Sequence, residues 1–409
     1  MTPEFSSRPV GKGSELSALF RHGACRLISP DRTLARIGPK LEACGITRCA
    51  EVTGLDEAFG VPTFCAIRPR ALVLQTSNGK GLTREAAQVS ALMEAIELHH
   101  AEFPDLSRLR FASEAELVAA GLRTLSPRVI DGSLSRHWRR NARLEWIEGR
   151  TLNSATAGSA LSDSAIWVPA GAATFREPTW HRTTSNGLAS GNHIVEAELH
   201  ALYELLERDA LAGLQVAGRL AVRERCAVID PTSVTHHRIA PILEAVRQVG
   251  CKVVLLWVPA RVARHVIWAA LLDSRPFASV STLNTGAGCH HDLDVALARA
   301  LTEAIQSRLS FIHGGREDIV EKPAFSGSVS TETPAWRFFD GLVGNTPFAT
   351  LRDTCPQFSD LGVARDDLLD RLGSAVVAQP IAVDLTRPEL AIPVVKVLVP
   401  GLRFNPALS

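Results

Sequence analysis

The sequence predicts an α/β (α+β) fold, a single large domain over residues 1–409. Three observations predict it. Apolar runs of strand length alternate with segments of helical period along the whole chain. No linker divides that alternation cleanly. A strand, a Gly-containing loop and a helix recur three times, in the neighbourhoods of residues 71–103, 184–213 and 282–309. With 46% apolar residues among 409, there is ample material for a large core.

Taken in order, residues 1–70 read as an entry segment, with a helix over Thr33–Cys44 and strands near Cys49–Thr53 and Val61–Ile67. Ala71–Gln75 reads as a strand ending in the loop Ser77-Asn78-Gly79-Lys80-Gly81, and a helix follows. Residues 104–150 read as a helical insertion in which "ASEAELVAAG" carries a Ser-x-x-Glu capping signature. "SRHWRRNARLEW" (135–146) holds four arginines. It is expected to be a solvated face, with contact to an anionic ligand or peptide as the alternative. A strand and a Gly/Ala-rich loop follow at 163–175. The second unit runs "TSNGLASGNHIVEAELHALYELLERDA" (184–210). Residues 227–273 alternate a helix, "HHRIAPILEAVRQVG", with the apolar strands "CKVVLLWVP" and "HVIWAALLD". The third unit is "TLNTGAGCHHDLDVALARALTEAIQSRL" (282–309). Residues 321–336 read as a mobile polar loop, and "IPVVKVLVPGL" (392–402) as a closing strand.

Composition removes several function classes. A net charge of +1 provides no broad field for nucleic acid or a membrane surface. No apolar run reaches the roughly 18 residues of a membrane span. The start, "MTPEFSSRPV", lacks a basic region followed by an apolar one, so no signal peptide is expected. Eight cysteines without a C-x-x-C pair predict reduced, mostly buried thiols and a cytoplasmic protein. Cys44 and Cys49, the closest pair, are read as core. Gly-x-Ser-x-Gly and zinc-ligand spacings are absent, which disfavours an esterase-like hydrolase and a zinc site. Most of the 13 histidines are expected at the surface or satisfied in the core. His200 is singled out by its place among acids, and His290-His291 by following a Gly loop.

The three helices share a pattern: "SALMEAIE", "HALYELLE" and "RALTEAIQ". At about 100° per residue, positions 0, 4, 8 and 11 fall within a stripe of about 80°. On the first helix they are Ala86, Ser90, Glu94 and Glu97; on the second, Glu196, His200, Glu204 and Glu207; on the third, Val295, Arg299, Glu303 and Gln306. One Glu pair three apart is ordinary on a solvated helix, and like charges there cost a few tenths of a kcal/mol. Recurrence behind Gly loops favours a cation instead. Paired carboxylates suit Mg²⁺, an ion that keeps water and phosphate oxygens in its shell. Lys80, between Gly79 and Gly81, is expected to approach a phosphate where a helix begins. The loop is not a Walker A motif, since position 74 is Leu and position 81 is Gly.

These residues resemble the YcaO superfamily over roughly 20–405. The resemblance rests on "SNGKG" with "SALMEAIE", on "SNGLASGN" with "EAELHALYELLERDA", and on "ALTEAIQSR". It implies an ATP- and Mg²⁺-dependent enzyme that activates a peptide backbone amide by phosphorylation. It implies roles by position. Lys80 belongs to the family loop. Ser90 and Arg208 match nucleotide contacts. Glu94, Glu97, Glu204 and Glu207 match the magnesium carboxylates. Asn192 and Glu196 match polar positions of the second motif, and Gln306 and Arg308 match the third, with Arg308 facing phosphate. Lys80 and Arg308 are thus the expected catalytic pair. Arg26 and Thr33 have the seven-residue offset of a Lys/Ser pair that touches ATP in some members, with both residues substituted.

"GITRCAEVTGLD" (45–56), "RPRA" (68–71) and "PVVKVLVPGL" resemble the branch that works with a TfuA partner. That branch implies thioamide formation on a peptide or protein substrate, with a sulfide source. The end, "RFNPALS", lacks the Pro-x-Pro-x-Pro tail frequent in azoline formers. An azoline-forming cyclodehydratase is the rival enzyme reading, and a non-catalytic nucleotide-binding accessory the rival of another class. A homodimer is the default assembly. The first and second units are expected to face one another with their acids in a shared cleft.

Overall fold

A computed structural model describes residues 16–17, 23–130, 138–155, 164–176, 183–273, 282–316, 333–352, 358–375 and 378–403. The strands form three antiparallel sheets. The first is β1 (Arg48–Glu51), β2 (Thr63–Ile67) and β3 (Thr76–Lys80), in that order. The second runs β4 (Leu109–Ser113), β5 (Arg143–Thr151), β12 (Ile381–Asp384), β13 (Val394–Leu398) and β7 (Leu188–Ser190), with β6 (Ala165–Pro169) pairing β5 off that path. The third runs β11 (Leu283–His290), β10 (His265–Asp273), β9 (Cys251–Trp257) and β8 (Ala227–Ile229). The helices are α1 (Pro30–Ile37), α2 (Arg84–Glu102), α3 (Glu114–Ala119), α4 (Pro127–Ile130), α5 (Ala170–Ala173), α6 (Ile194–Arg225), α7 (Ala240–Gln248), α8 (Leu293–His313), α9 (Pro334–Asp340) and α10 (Leu361–Ser374). This is the mixed helix-and-sheet class that the sequence predicts.

Each sheet carries one long helix of the repeated pattern. α2 packs on β2 and β3, α6 on β7 and β13, and α8 on β10 and β11. The glycines explain how closely they pack. A Cβ on Gly79 would lie 2.0 Å from the Ala91 nitrogen and 2.3 Å from the Ala87 carbonyl oxygen. A Cβ on Gly286 would lie 2.2 Å from the Ala304 nitrogen. The facing helix residues Ala87, Ala91, Ala300 and Ala304 are fully buried. Strand backbone therefore meets helix backbone with no side chain between them.

That packing corrects the loop expectation for two of the three units. Ser77-Asn78-Gly79-Lys80 lies inside β3, while 71–75 forms the turn before it. "LNTGAG" likewise lies inside β11. Both segments are polar or small, so their composition reads as loop. They are strands because their glycines let a helix pack directly on them, and in β3 two polar contacts cross that interface: Asn78 Nδ2 donates to Ser310 Oγ at 2.8 Å, and Gln306 Nε2 donates to the Asn78 carbonyl at 2.9 Å. Only Ser185-Asn186-Gly187 is a turn, leading into the short β7.

The expected insertion at 104–150 is not mainly helical. It supplies β4 and β5, which pair with each other at one end of the six-stranded sheet. Its capping signature is real. Glu116 N–H donates to Ser113 Oγ at 3.2 Å, and Ser113 N–H donates to Glu116 Oε2 at 2.7 Å. Arg139, Arg140 and Arg143 are exposed, consistent with a solvated face. α1 begins earlier and ends sooner than the expected Thr33–Cys44 helix, with a 3₁₀ turn at Gly38–Lys40. Within 163–175 the expected strand is β6, and the expected Gly/Ala-rich loop is the short α5. Residues 321–332 of the expected mobile loop lie outside the described residues, and Thr333 caps α9. Seven described cysteines are free, and Cys44 is buried while Cys49 is half-buried. Among the described residues no helix is long and apolar enough to cross a membrane.

Candidate active site

The striped faces of α2, α6 and α8 border one cavity of about 870 Å³. From α2 come Ser90, Glu94 and Glu97; from α6, Glu196, His200, Glu204, Glu207 and Arg208; from α8, Arg299, Glu303 and Gln306. Lys80 enters from the end of β3, and Arg26, Thr33 and Asn192 from the segments preceding α1 and α6 or within α1. The structure thus brings together every expected site residue except Arg308.

At the start of α6, Glu196 organises a compact polar cluster. Its Oε2 accepts the Leu27 N–H at 2.9 Å, and its Oε1 accepts the Asn192 N–H at 3.2 Å and Nδ2 at 3.3 Å. Arg26 Nη1 lies 3.6 Å from the same Oε1. Thr33 Oγ1 donates to Asn192 Oδ1 at 3.3 Å. The seven-residue offset of Arg26 and Thr33 therefore delivers both to the second motif.

The other acids converge from three elements. Glu97 Oε1 accepts the Ser190 N–H at 2.8 Å and the Ser190 hydroxyl at 2.6 Å. Glu204 Oε2 accepts the Gly187 N–H at 3.2 Å. Lys80 Nζ pairs with Glu303 Oε2 at 2.7 Å. Burial pushes the Glu97 carboxyl up to about 8, aided by Glu94 and Glu204 and opposed by the Ser190 bonds. Burial likewise pushes Glu207 up to about 7, against Arg208 and with help from Glu303 and Glu204. Glu204 is raised by burial, with Arg208 opposing. Burial acts on Glu303 in the same sense, but Lys80 and Arg208 outweigh it and hold that carboxyl below its ordinary range. His200 is held well below its ordinary value by burial and by Arg299, whose Nη1 lies 3.5 Å from His200 Nδ1. It is a neutral ring on an acidic wall.

Residues 78–403 match the family model described as YcaO cyclodehydratase, ATP- and Mg²⁺-binding. An uncharacterized protein of Mycobacterium tuberculosis is 34% identical over 418 residues, covering 98% of this chain and 88% of that protein. The chain belongs to the YcaO family. A protein of Rhizobium leguminosarum bv. trifolii, named for its place in the tfuA 3′ region, is 32% identical over 394 residues, covering 93% of this chain and 89% of that protein. The YcaO structure from Methanopyrus kandleri bound with AMPPCP and Mg²⁺ superimposes with a TM-score of 0.72 at 24% identity, over 95% of each chain. That likeness establishes the YcaO fold.

ATP and Mg²⁺ are the cofactors of this family. The residues present fit them. The donors are carboxylate oxygens, the ligands that Mg²⁺ prefers. Burial, which raises Glu97, Glu204 and Glu207, and the repulsion from neighbouring carboxylates that adds to it at Glu97 and Glu207, are what a bound cation relieves. Among the described residues no three metal-binding side chains already converge on one point. Arg208 carries a buried Nε with no hydrogen-bond partner, as does Arg299. Both face the acids and have donors to offer an anion.

Arg308 is the correction. It does not line the YcaO cavity. Its Nε contacts Asp56 Oδ2 at 2.5 Å, its Nη1 contacts Asp273 Oδ2 at 2.9 Å, and its guanidinium stacks on Phe59. Two residues beyond Gln306 on a 3.6-residue helix, it points away from the striped face. His290 and His291 also leave the cavity. They enter a buried network in which the Tyr203 hydroxyl bonds His291 Nδ1 at 2.5 Å and His291 Nε2 bonds Asp367 Oδ2 at 2.9 Å.

Three residues at or near the cavity had no assigned role in the sequence. Glu303 and Arg299 sit on the third stripe, and Glu303 fills the same column as Glu94 and Glu204, which was a usable signal. Lys396 lies buried in β13, its Nζ donating to the Thr184 carbonyl at 2.5 Å beside the cavity wall. Burial pulls it down to about 8, with Glu204 acting the other way. A lone charge inside the apolar run "PVVKVLVP" was its signal.

Proposed function

We propose that this chain uses ATP and Mg²⁺ to activate a peptide backbone amide, and that its product is a thioamide made with a TfuA-like partner and a sulfide source. The observation that carries amide activation is the cavity itself, where two glutamate pairs from α2 and α6 meet Glu303, Lys80, Arg208 and Arg299 from three directions. The thioamide branch is supported by the relative named for the tfuA 3′ region and by the resemblances at 45–56, 68–71 and "PVVKVLVPGL".

An amide carbonyl is a poor electrophile with a poor leaving group. Hydrosulfide adds to the carbonyl carbon, and the carbonyl oxygen takes the γ-phosphoryl group of ATP, releasing ADP. The C–O bond then breaks, phosphate leaves with that oxygen, and loss of the sulfur-bound proton leaves C=S. Bound Mg²⁺ would neutralise phosphate charge as it moves. Glu94, Glu97, Glu204 and Glu207 would hold it. Lys80 and Arg299 would supply positive charge near the transferring group, and Arg208 and Ser90 would orient the nucleotide. The contribution is positioning and electrostatics, with no covalent enzyme intermediate. Arg308, tied to Asp56 and Asp273, supports α8 from behind.

The test is an incubation of the chain with ATP, Mg²⁺ and candidate peptides, with and without sulfide and the TfuA-like protein. A product heavier by the difference between sulfur and oxygen, dependent on ATP and sulfide, supports the reading. A product lighter by one water, formed from a Cys-, Ser- or Thr-containing peptide by this chain and ATP alone, replaces it with azoline formation.

A further inference from the structure

The cavity has two chemically different parts. Its charged part is described above. Another part of its lining is apolar: Val73 and Leu74 from the turn before β3, Leu98 from the C-terminal half of α2, Phe175 after α5, and Phe311 near the end of α8. Val73 and Phe311 are 40% and 36% exposed, so this part meets solvent through them, with Leu74 and Phe175 half-buried and Leu98 buried behind. Apolar side chains left open beside a polar site are a contact surface.

The turn is held by an unusual device. Arg68 and Glu102 are both buried and form a two-pronged ion pair, Nη1 to Oε2 at 2.8 Å and Nη2 to Oε1 at 2.9 Å. Glu102 Oε1 also accepts the Val73 N–H at 3.1 Å, and Arg68 Nη2 donates to the Leu74 carbonyl at 3.3 Å. The Phe175 N–H donates to the Ala101 carbonyl at 2.9 Å, which sets that ring at the same end of α2. A buried pair adds little net stability over apolar packing, but it fixes geometry. Here it fixes two apolar residues at the cavity, and it gives the "RPRA" segment a task that the nucleotide site does not.

We infer that Val73, Leu74, Leu98, Phe175 and Phe311 form a collar that receives an apolar side chain of the peptide beside the amide being activated, with Arg68 and Glu102 as positioning residues for its wall. This rests on the amide-activation reading and adds the class of substrate to it. An acidic or small polar neighbour would leave the collar wet or bring charge against it, whereas a Leu- or Phe-sized group removes apolar surface from water on both partners.

The experiment uses the full chain with Mg²⁺ and a non-hydrolysable ATP analogue. Capped pentapeptides of Gly with one central Leu, Phe, Ser or Asp are titrated by calorimetry. The Leu and Phe peptides are expected to bind about tenfold or more tightly than the Ser and Asp peptides, the range a single apolar pocket provides. Val73→Asp and Phe175→Ala should each erase most of that preference while the ATP analogue binds within about twofold of the original chain, as expected for side chains that touch only peptide. Arg68→Met combined with Glu102→Leu, which keeps the volume filled and leaves no lone buried charge, should weaken the preference without loss of the folded signal. Equal binding of all four peptides, binding of none, or a preference that survives both Val73→Asp and Phe175→Ala overturns the collar. If no peptide yields an ATP-dependent product, the amide-activation reading fails on that separate ground, and the titration still decides whether the collar selects apolar groups.

Discussion

Glu94 and Glu97 illustrate how residue-scale chemistry is set by burial. Replacing both with Gln keeps the side-chain volume and removes two negative charges from the cavity. ATP affinity in the presence of Mg²⁺ should then fall by a hundredfold or more on the order of the 1.4 kcal/mol per tenfold scale, while the circular dichroism spectrum is unchanged. An unaltered calorimetric titration would remove these acids from the metal site. Titration makes a second expectation. Glu97 at about 8 and Glu207 at about 7 bind protons in the fold at pH values where the unfolded chain has released them. Their contribution to stability is fully present below the ordinary carboxylate range and is lost as pH rises through about 7 to 8. Metal binding needs the deprotonated acids, so its affinity runs the opposite way. The melting temperature of the ligand-free chain should therefore decline from pH 6 to 9, and the rise on adding Mg²⁺–ATP should be larger at pH 9 than at pH 6. Thermal melts across pH with and without Mg²⁺–ATP check both slopes. Lys80→Ala, which removes the partner 2.7 Å from Glu303, should abolish turnover under every sulfide condition and leave Glu303 to repel the remaining acids.

At the scale of elements, the glycines in β3 and β11 are packing residues. Gly286→Val would place atoms where the Ala300 carbonyl and Ala304 nitrogen already sit, at 2.4 and 2.2 Å from a Cβ. The strand and helix cannot both keep their places, and a loss of at least 1–3 kcal/mol in urea unfolding is expected. Gly250→Ala, at φ +77 with no atom within 4 Å, should cost less, because only the backbone preference is offended. The same elements show what was legible in the sequence. The two glutamate-pair stripes were readable because helical period alone places Glu94 with Glu97 and Glu204 with Glu207 on one face of each helix. The strands Thr76–Lys80 and Leu283–His290 were not, since Ser, Asn, Thr and Gly earn their strand only from the helices packed above them. Arg308 was misplaced for a related reason. A match in a motif carries no record of the partner, and Asp56 and Asp273 lie 252 and 35 positions away. Lys396 had a signal, one charge inside an apolar strand, but the sequence does not show that the strand lies beside the acids.

At the scale of the whole molecule, three sheets with three helices converge on one cavity, and no single unit holds a complete site. A ligand that touches all three should stabilise the protein as one cooperative body, so Mg²⁺–ATP at a hundred times its dissociation constant should add about 2.7 kcal/mol to unfolding, read from urea curves. This architecture also has a consequence in time. Leu27 is joined to Glu196 across 169 positions, Lys80 to Glu303 across 223, and Asn78 to Ser310 across 232. Such distant closures follow the local helices and hairpins in a refolding chain. A newly made chain would thus show most of its helical signal before it can hold a nucleotide, and fluorescence from a bound ATP analogue should recover later than circular dichroism after dilution from urea. For the cell, nucleotide capture would then mark a finished molecule, because all three units must be in place before the acids share a single ion.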